Sequence, residues 1–260
     1  AREQPLTMIR RLLTLIAVLL CLLVGTCQLV EAKKQRNAPH EHKGKLTPYS
    51  PGPFDVLKLG PKDEEALSQN KAVMKQIPGE GGKGNEGGRA ICIQDVNAPK
   101  DAVWNQILDI DHYVGKVNKL KECKNYVVKK NGDGTSTIKT KMVVGVIPGY
   151  SYEYYCDHIY SPAHDSVTWT LDYDKLSDFD DVAGHWHLED HPTKPGCTRV
   201  FYACDIKFKR AVPGPVMNFL TKSALKQATS WVKRESESKP QACIPKEYAV
   251  AFVATHRPKC

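Results

Sequence analysis

Residues 184–192 read GHWHLEDHP, so three histidines, a glutamate and an aspartate fall within a few positions of one another. Two imidazoles at i and i+2 of an extended chain share a face and can ligate a metal, and imidazole beside carboxylate can move protons. A working metal site also needs a third ligand and hydrogen bonds that orient the rings, which this spacing does not supply. No metal is therefore expected. A second candidate is His158, in the run YSYEYYCDHIY over 150–160. There Tyr150, Tyr152, Tyr154, Cys156, His158 and Tyr160 share one face by alternation, opposite Glu153 and Asp157. Placed inside, that face is either a tyrosine–histidine core or a set of polar handles in an apolar pocket.

The elements that must position these groups begin well into the chain. Met8-Ile9-Arg10-Arg11 followed by an apolar run and small residues near Ala32 has the pattern of a secretory leader, with residues 8–32 as the signal peptide and cleavage after Ala32. The apolar run is short for a membrane span, which needs ~20 residues, so a signal anchor is the alternative. The expected destination is the secretory pathway, extracellular or lumenal. Residues 33–88, rich in Lys, Gly and Pro and ending in GEGGKGNEGG, read as a flexible linker with one weak helix over 63–76. The Gly-rich stretch lacks the Gly-Lys-Ser/Thr and following helix of a phosphate loop.

The chain carries a formal charge of +8. Residues 89–238 are nearly balanced, however, and the excess lies in the flanks at Lys33, Lys34, Arg36, Lys43, Lys45, Lys239, Lys246, Arg257 and Lys259. Nucleic-acid binding concentrates charge on a folded face, so no nucleic-acid partner is expected. Basic flanks suit weak contact with an anionic membrane surface. After leader removal Cys92, Cys123, Cys156, Cys197, Cys204, Cys243 and Cys260 remain, an odd set without a CxxC pair, and their connectivity stays open.

Within 89–238, RAICIQDV reads as a strand and Asn97-Ala98-Pro99 opens a helix with Ala102, Val103, Gln106, Ile107 and Ile110 on one side. Strands follow over 123–130, 135–146, 150–160, 166–173, 183–190 and 197–208, separated by turn residues. From Pro213 the period becomes helical, with Val216, Leu220, Ala224, Ala228 and Trp231 on one stripe. The expected architecture is α+β: a curved seven-stranded antiparallel sheet, two short helices and a long C-terminal helix over the concave face, then a tail over 239–260. Ala224 and Ala228 leave space beneath that helix. Alternation turns Trp169, Trp186, Tyr202 and Leu188 inward and His185, His187 and Glu189 outward, which makes the histidine pair a solvent-facing strand decoration.

The ordered set VNAPKDAVWNQILDIDHY, VTWTLDY, GHWHLED, TRVFYACDI and PGPVMNFLTKSALKQATSWVKRESE resembles the START/polyketide-cyclase (SRPBCC) superfamily with its helix-grip fold, particularly the coenzyme Q-binding-protein-like branch. The resemblance covers 90–237 and implies a START-like domain that binds or transports an apolar small molecule: a lipid, sterol, isoprenoid or quinone. Pocket candidates are Met142, Tyr152, Tyr154, His158, Trp169, Trp186, Tyr202, Leu220 and Trp231. A non-enzymatic carrier without cofactor is the leading expectation. The alternative is a cyclase/dehydratase in which His158 is the acid/base and Tyr152 or Tyr202 polarises a carbonyl.

Overall fold

The computed structural model describes residues 36–54, 57–77, 89–147, 150–209 and 224–240. The expected leader, the Gly-rich stretch over 79–88, residues 210–223 with Leu220, and most of the tail lie outside the described residues. The chain forms two compact units, Ala1–Glu41 with Tyr173–Leu176, and His42–Asp172 with Ser177–Cys260. In the small unit the His40 amide donates to the Tyr173 carbonyl at 2.8 Å, and Lys175 Nζ donates to Asn37 Oδ1 at 3.1 Å. No helix among the described residues is long and apolar enough to cross a membrane.

In the large unit residues 42–54 and 57–59 have little regular structure, and helix α1 (Pro61–Ser68) follows. Strands β1 (Val73–Ile77) and β2 (Arg89–Val96) follow, then α2 (Lys100–Leu108) and a 3-10 turn at Ile110–His112. A meander runs through β3 (Leu120–Lys130), β4 (Ser136–Ile147), β5 (Tyr150–Ser161), β6 (Ser166–Leu171), β7 (Phe179–Asp190) and β8 (Thr198–Phe208) to α3 (Ala224–Ser238). All pairs are antiparallel in one sheet ordered β1-β2-β8-β7-β6-β5-β4-β3. Bulges at Leu120/Glu122, Asn125/Val127, Gly145/Ile147 and Phe179/Asp181 add local twist and bend.

The sheet has eight strands rather than the expected seven. The added one, β1, comes from residues read as linker, and the helix expected over 63–76 is split into α1 and β1. Helix α1 starts where Pro61 presets φ and Gly60 N donates to Asp63 Oδ2 at 2.8 Å. It ends at Asn70, which has φ 61. Strand β1 covers the edge that β2 would otherwise leave unpaired.

Two apolar layers lie on opposite faces of the sheet. On one, α2 and α3 pack; Trp104, Ile107, Leu108, Trp231 and Val232 are buried. On the other, Leu46, Tyr49, Phe54, Leu57, Leu59 and Leu67 pack on Ile91, Ile93, Ala183, Phe201 and Ala203. This second layer overturns the solvent-facing reading of the histidine pair. Trp186 does take the helix side, but His185 and His187 are only 1% and 5% exposed on the far side. Strand alternation assigns a side chain to a face; it does not say what covers that face.

Candidate functional site

The helix-side face encloses a cavity of about 210 Å³ between the sheet and α3. Its walls follow the pleat. Tyr154, Cys156 and His158 from β5, Val167 and Trp169 from β6, Val182 and Trp186 from β7, and Tyr202, Cys204 and Ile206 from β8 point into it at every second residue. Met142 and Val144 of β4 close one side, and Ile107, Ile110 and Tyr113 another. Gln227, Ala228 and Trp231 of α3 form the roof, with Asn118, Lys119 and Leu120 also lining it.

Close ring packing fixes the walls. Trp186 and Tyr202 centroids are 4.2 Å apart, Trp169 and Tyr202 5.8 Å, and Tyr113 and Trp231 4.8 Å. Tyr113 is itself held by a hydrogen bond from its hydroxyl to the Ile107 carbonyl. Gly184 makes room for Trp169: these two are cross-strand partners, and a Cβ at 184 would overlap the indole. Helix α2 is tied to the β5–β6 turn, where Asp165 (φ 45) accepts from Lys100 Nζ at 2.8 Å and Trp104 Nε1 at 3.4 Å.

The ionisable groups on the walls are driven to their neutral forms. Burial pushes the Tyr154 and Tyr202 phenols and the Cys156 thiol well up, and takes Cys204 to about 12. Burial lowers His158 to about 4, against a smaller opposing effect of its bond to the Ile138 carbonyl. At neutral pH these tyrosine, cysteine and histidine groups are therefore uncharged, and Lys119 is the charged residue among those lining the cavity. Walls made mostly of such neutral and apolar groups accept an apolar guest.

Of the residues expected in the pocket, Met142, Tyr154, His158, Trp169, Trp186, Tyr202 and Trp231 meet around this cavity. Tyr152 lies apart from the lining, stacked on Phe179 at 4.7 Å and 11°. Leu220 is outside the described residues. Alternation had placed Cys156 and Cys204 on the inward faces, so both were within reach of sequence reasoning. Asn118, Lys119 and Gly184 were not, because turn residues and a missing side chain leave no periodic signal.

The GHWHLEDHP histidines serve the other face. His187 Nδ1 donates to the Asp165 carbonyl at 3.0 Å, and its Nε2 lies 3.3 Å from Glu189 Oε1. His185 sits against Phe54 at 4.6 Å and Tyr49 at 5.7 Å, with neither ring nitrogen hydrogen-bonded among the described residues. His191 Nε2 pairs with Asp95 Oδ2 at 3.0 Å. The His185 and His187 rings are neighbours, their centroids 6.2 Å apart, while His191 is paired with Asp95.

A curved antiparallel sheet gripping a C-terminal helix across an apolar hollow is the helix-grip class of α+β fold. Among solved structures, the chain is similar to a START superfamily protein from Mycobacterium smegmatis, with 19% identity over 64% of this chain and 97% of that one at a TM-score of 0.46. It is also similar to the Zhui aromatase/cyclase from Streptomyces sp. R1128, with 13% identity, 64% and 94% coverage and a TM-score of 0.46. A STAR-related lipid transfer protein from Xanthomonas axonopodis aligns at 12% identity over 57% of this chain and 85% of its own, with a TM-score of 0.44. No protein-family model matches the chain, and no curated protein does.

Proposed function

We propose that this protein binds, and carries, an uncharged apolar small molecule such as a lipid, sterol or isoprenoid between the sheet and α3. The observation that supports this reading is a cavity walled by Trp169, Trp186, Tyr202, Met142 and Trp231, with its His158, Tyr154, Tyr202, Cys156 and Cys204 side chains held neutral by burial. At ~25 cal/mol per Å², a guest burying about 400 Å² of apolar surface gains about 10 kcal/mol before the cost of ordering it. No bond to the guest need form or break.

Equilibrium dialysis against fluorene, a compact neutral hydrocarbon, tests the reading, with Ala228→Phe as the blocking variant. Ala228 lines the roof, so a phenyl ring there occupies guest space, and affinity is expected to fall about tenfold or more while the fold is retained. Failure of wild-type protein to take up fluorene, or equal uptake by the folded variant, refutes the carrier reading.

A cyclase/dehydratase activity is the second reading, and it draws on the ring of His158 in the cavity wall. With Tyr152 stacked outside, Tyr202 is the phenol left to polarise a carbonyl. His158→Ala separates the two: a carrier keeps hydrocarbon binding, whereas an enzyme loses turnover.

A further inference from the structure

The hydrogen bonds of His158 specify more than an apolar guest. Its Nδ1 lies 3.1 Å from the carbonyl oxygen of Ile138, its cross-strand partner. A carbonyl only accepts, so Nδ1 carries the proton and Nε2 of the neutral ring is left as an acceptor. Nε2 has no hydrogen-bond partner among the described residues, although His158 is only 6% exposed and its ring forms part of the cavity wall. The tautomer is pinned, because reversing it sets a lone pair against the buried Ile138 carbonyl and leaves that bond unmade.

None of the other polar side chains on the walls is acceptor-only, and Lys119 only donates. The Tyr154 and Tyr202 hydroxyls can each donate or accept, as can the amide side chains of Asn118 and Gln227. Nε2 of His158 can only accept. A guest hydroxyl placed there completes the bond, whereas a guest carbonyl meets another lone pair and stays desolvated without a partner.

We infer that the cavity selects an apolar molecule bearing a hydroxyl, an alcohol or phenol, over the corresponding ketone or quinone, with Nε2 of His158 accepting the hydroxyl proton. This rests on the carrier reading above and narrows its ligand class. His158 acts here as a specificity-determining residue; no covalent step is involved.

Three probes of one carbon frame test it: 9-fluorenol, 9-fluorenone and fluorene, compared by equilibrium dialysis at pH 7.5. Fluorenol is expected to bind about tenfold more tightly than fluorenone. In His158→Phe the fluorenol-to-fluorenone affinity ratio should fall to about one, whatever the change in fluorene affinity. Nitrogen-15 NMR of the histidine ring gives a second readout that needs no variant: Nδ1–H at pH 7.5, with the Nε2 resonance shifting on fluorenol but not on fluorene. Fluorene binding with equal or tighter uptake of fluorenone overturns the hydroxyl inference and leaves the carrier reading standing; so does an Nε2–H tautomer. If none of the three binds, both readings fall together.

Discussion

His185 takes an imidazole into an apolar layer and leaves both nitrogens without a hydrogen bond among the described residues. Burial, with a smaller contribution from neighbouring His187, lowers its pKa to about 3, and His158 on the other face is lowered to about 4. Both rings are therefore neutral in the folded protein near pH 7, while the unfolded chain takes up protons below about 6.5. The stability tied to each is fully present above pH 6.5. It drains away as pH falls, toward about 4 for His158 and about 3 for His185. His185→Leu removes the unpaired nitrogens and should raise stability by about 1 kcal/mol at pH 8. Its advantage over wild type should widen as urea denaturation is repeated from pH 6.5 down to 4.5, and a constant or shrinking gap contradicts the assignment. Next to it, Gly184 has the opposite tolerance. Gly184→Ala drives a methyl into Trp169 and should cost about 1–3 kcal/mol while weakening hydrocarbon uptake. Thermal unfolding and dialysis against fluorene measure the two effects. Alternation alone told Trp186 from His185, since neighbours on a strand take opposite faces, but the role of Gly184 depends on an indole from another strand.

At the scale of elements, the segment over 42–59 matters most to the outer face. Asp181, fully buried, accepts from the backbone N–H groups of Lys45 at 2.5 Å and Leu46 at 2.7 Å through Oδ2, while Oδ1 accepts from Val182 N at 2.9 Å. The Tyr49 hydroxyl reaches Asp205 at 3.1 Å, and Gly52 N reaches Ser166 Oγ at 3.2 Å. Arg199 then joins α1 to β2: its guanidinium donates to Glu64 at 2.7 and 2.8 Å and to Asp95 at 2.8 and 3.1 Å. Asp181→Ala orphans two amides of the segment and should destabilise the protein by about 2–4 kcal/mol. Hydrogen exchange should speed up at Lys45 and Leu46 ahead of the β5 and β8 amides; uniform acceleration means the segment is not held by Asp181. The meander β3 to β8 was legible because each strand alternates and ends at a turn. The stretches 42–54 and 57–59 were not, since irregular backbone presents its apolar side chains at irregular intervals. Strand β1 was equally hidden, because VMKQI is short and acquires its pairing only from β2.

Across the large unit, the sheet supports two different interiors. The outer one is filled, with Phe54, Tyr49 and Leu67 set on Ile91, Ile93 and Phe201. The inner one stays hollow, because Ala228 of α3 faces walls held apart by Trp169, Trp186 and Tyr202. The sequence by itself determined the α+β class, most of the strands, the inward face of each and seven of the residues that line the cavity. Those follow from local periodicity, which records how a strand or helix partitions its own side chains between faces. The cover over His185 and His187, the eighth strand, the hydrogen bond that fixes the His158 tautomer and the space at Gly184 were decided only by tertiary structure. Each arises where chain segments distant in sequence meet, and a partner's identity is not encoded in the spacing of the residues it touches.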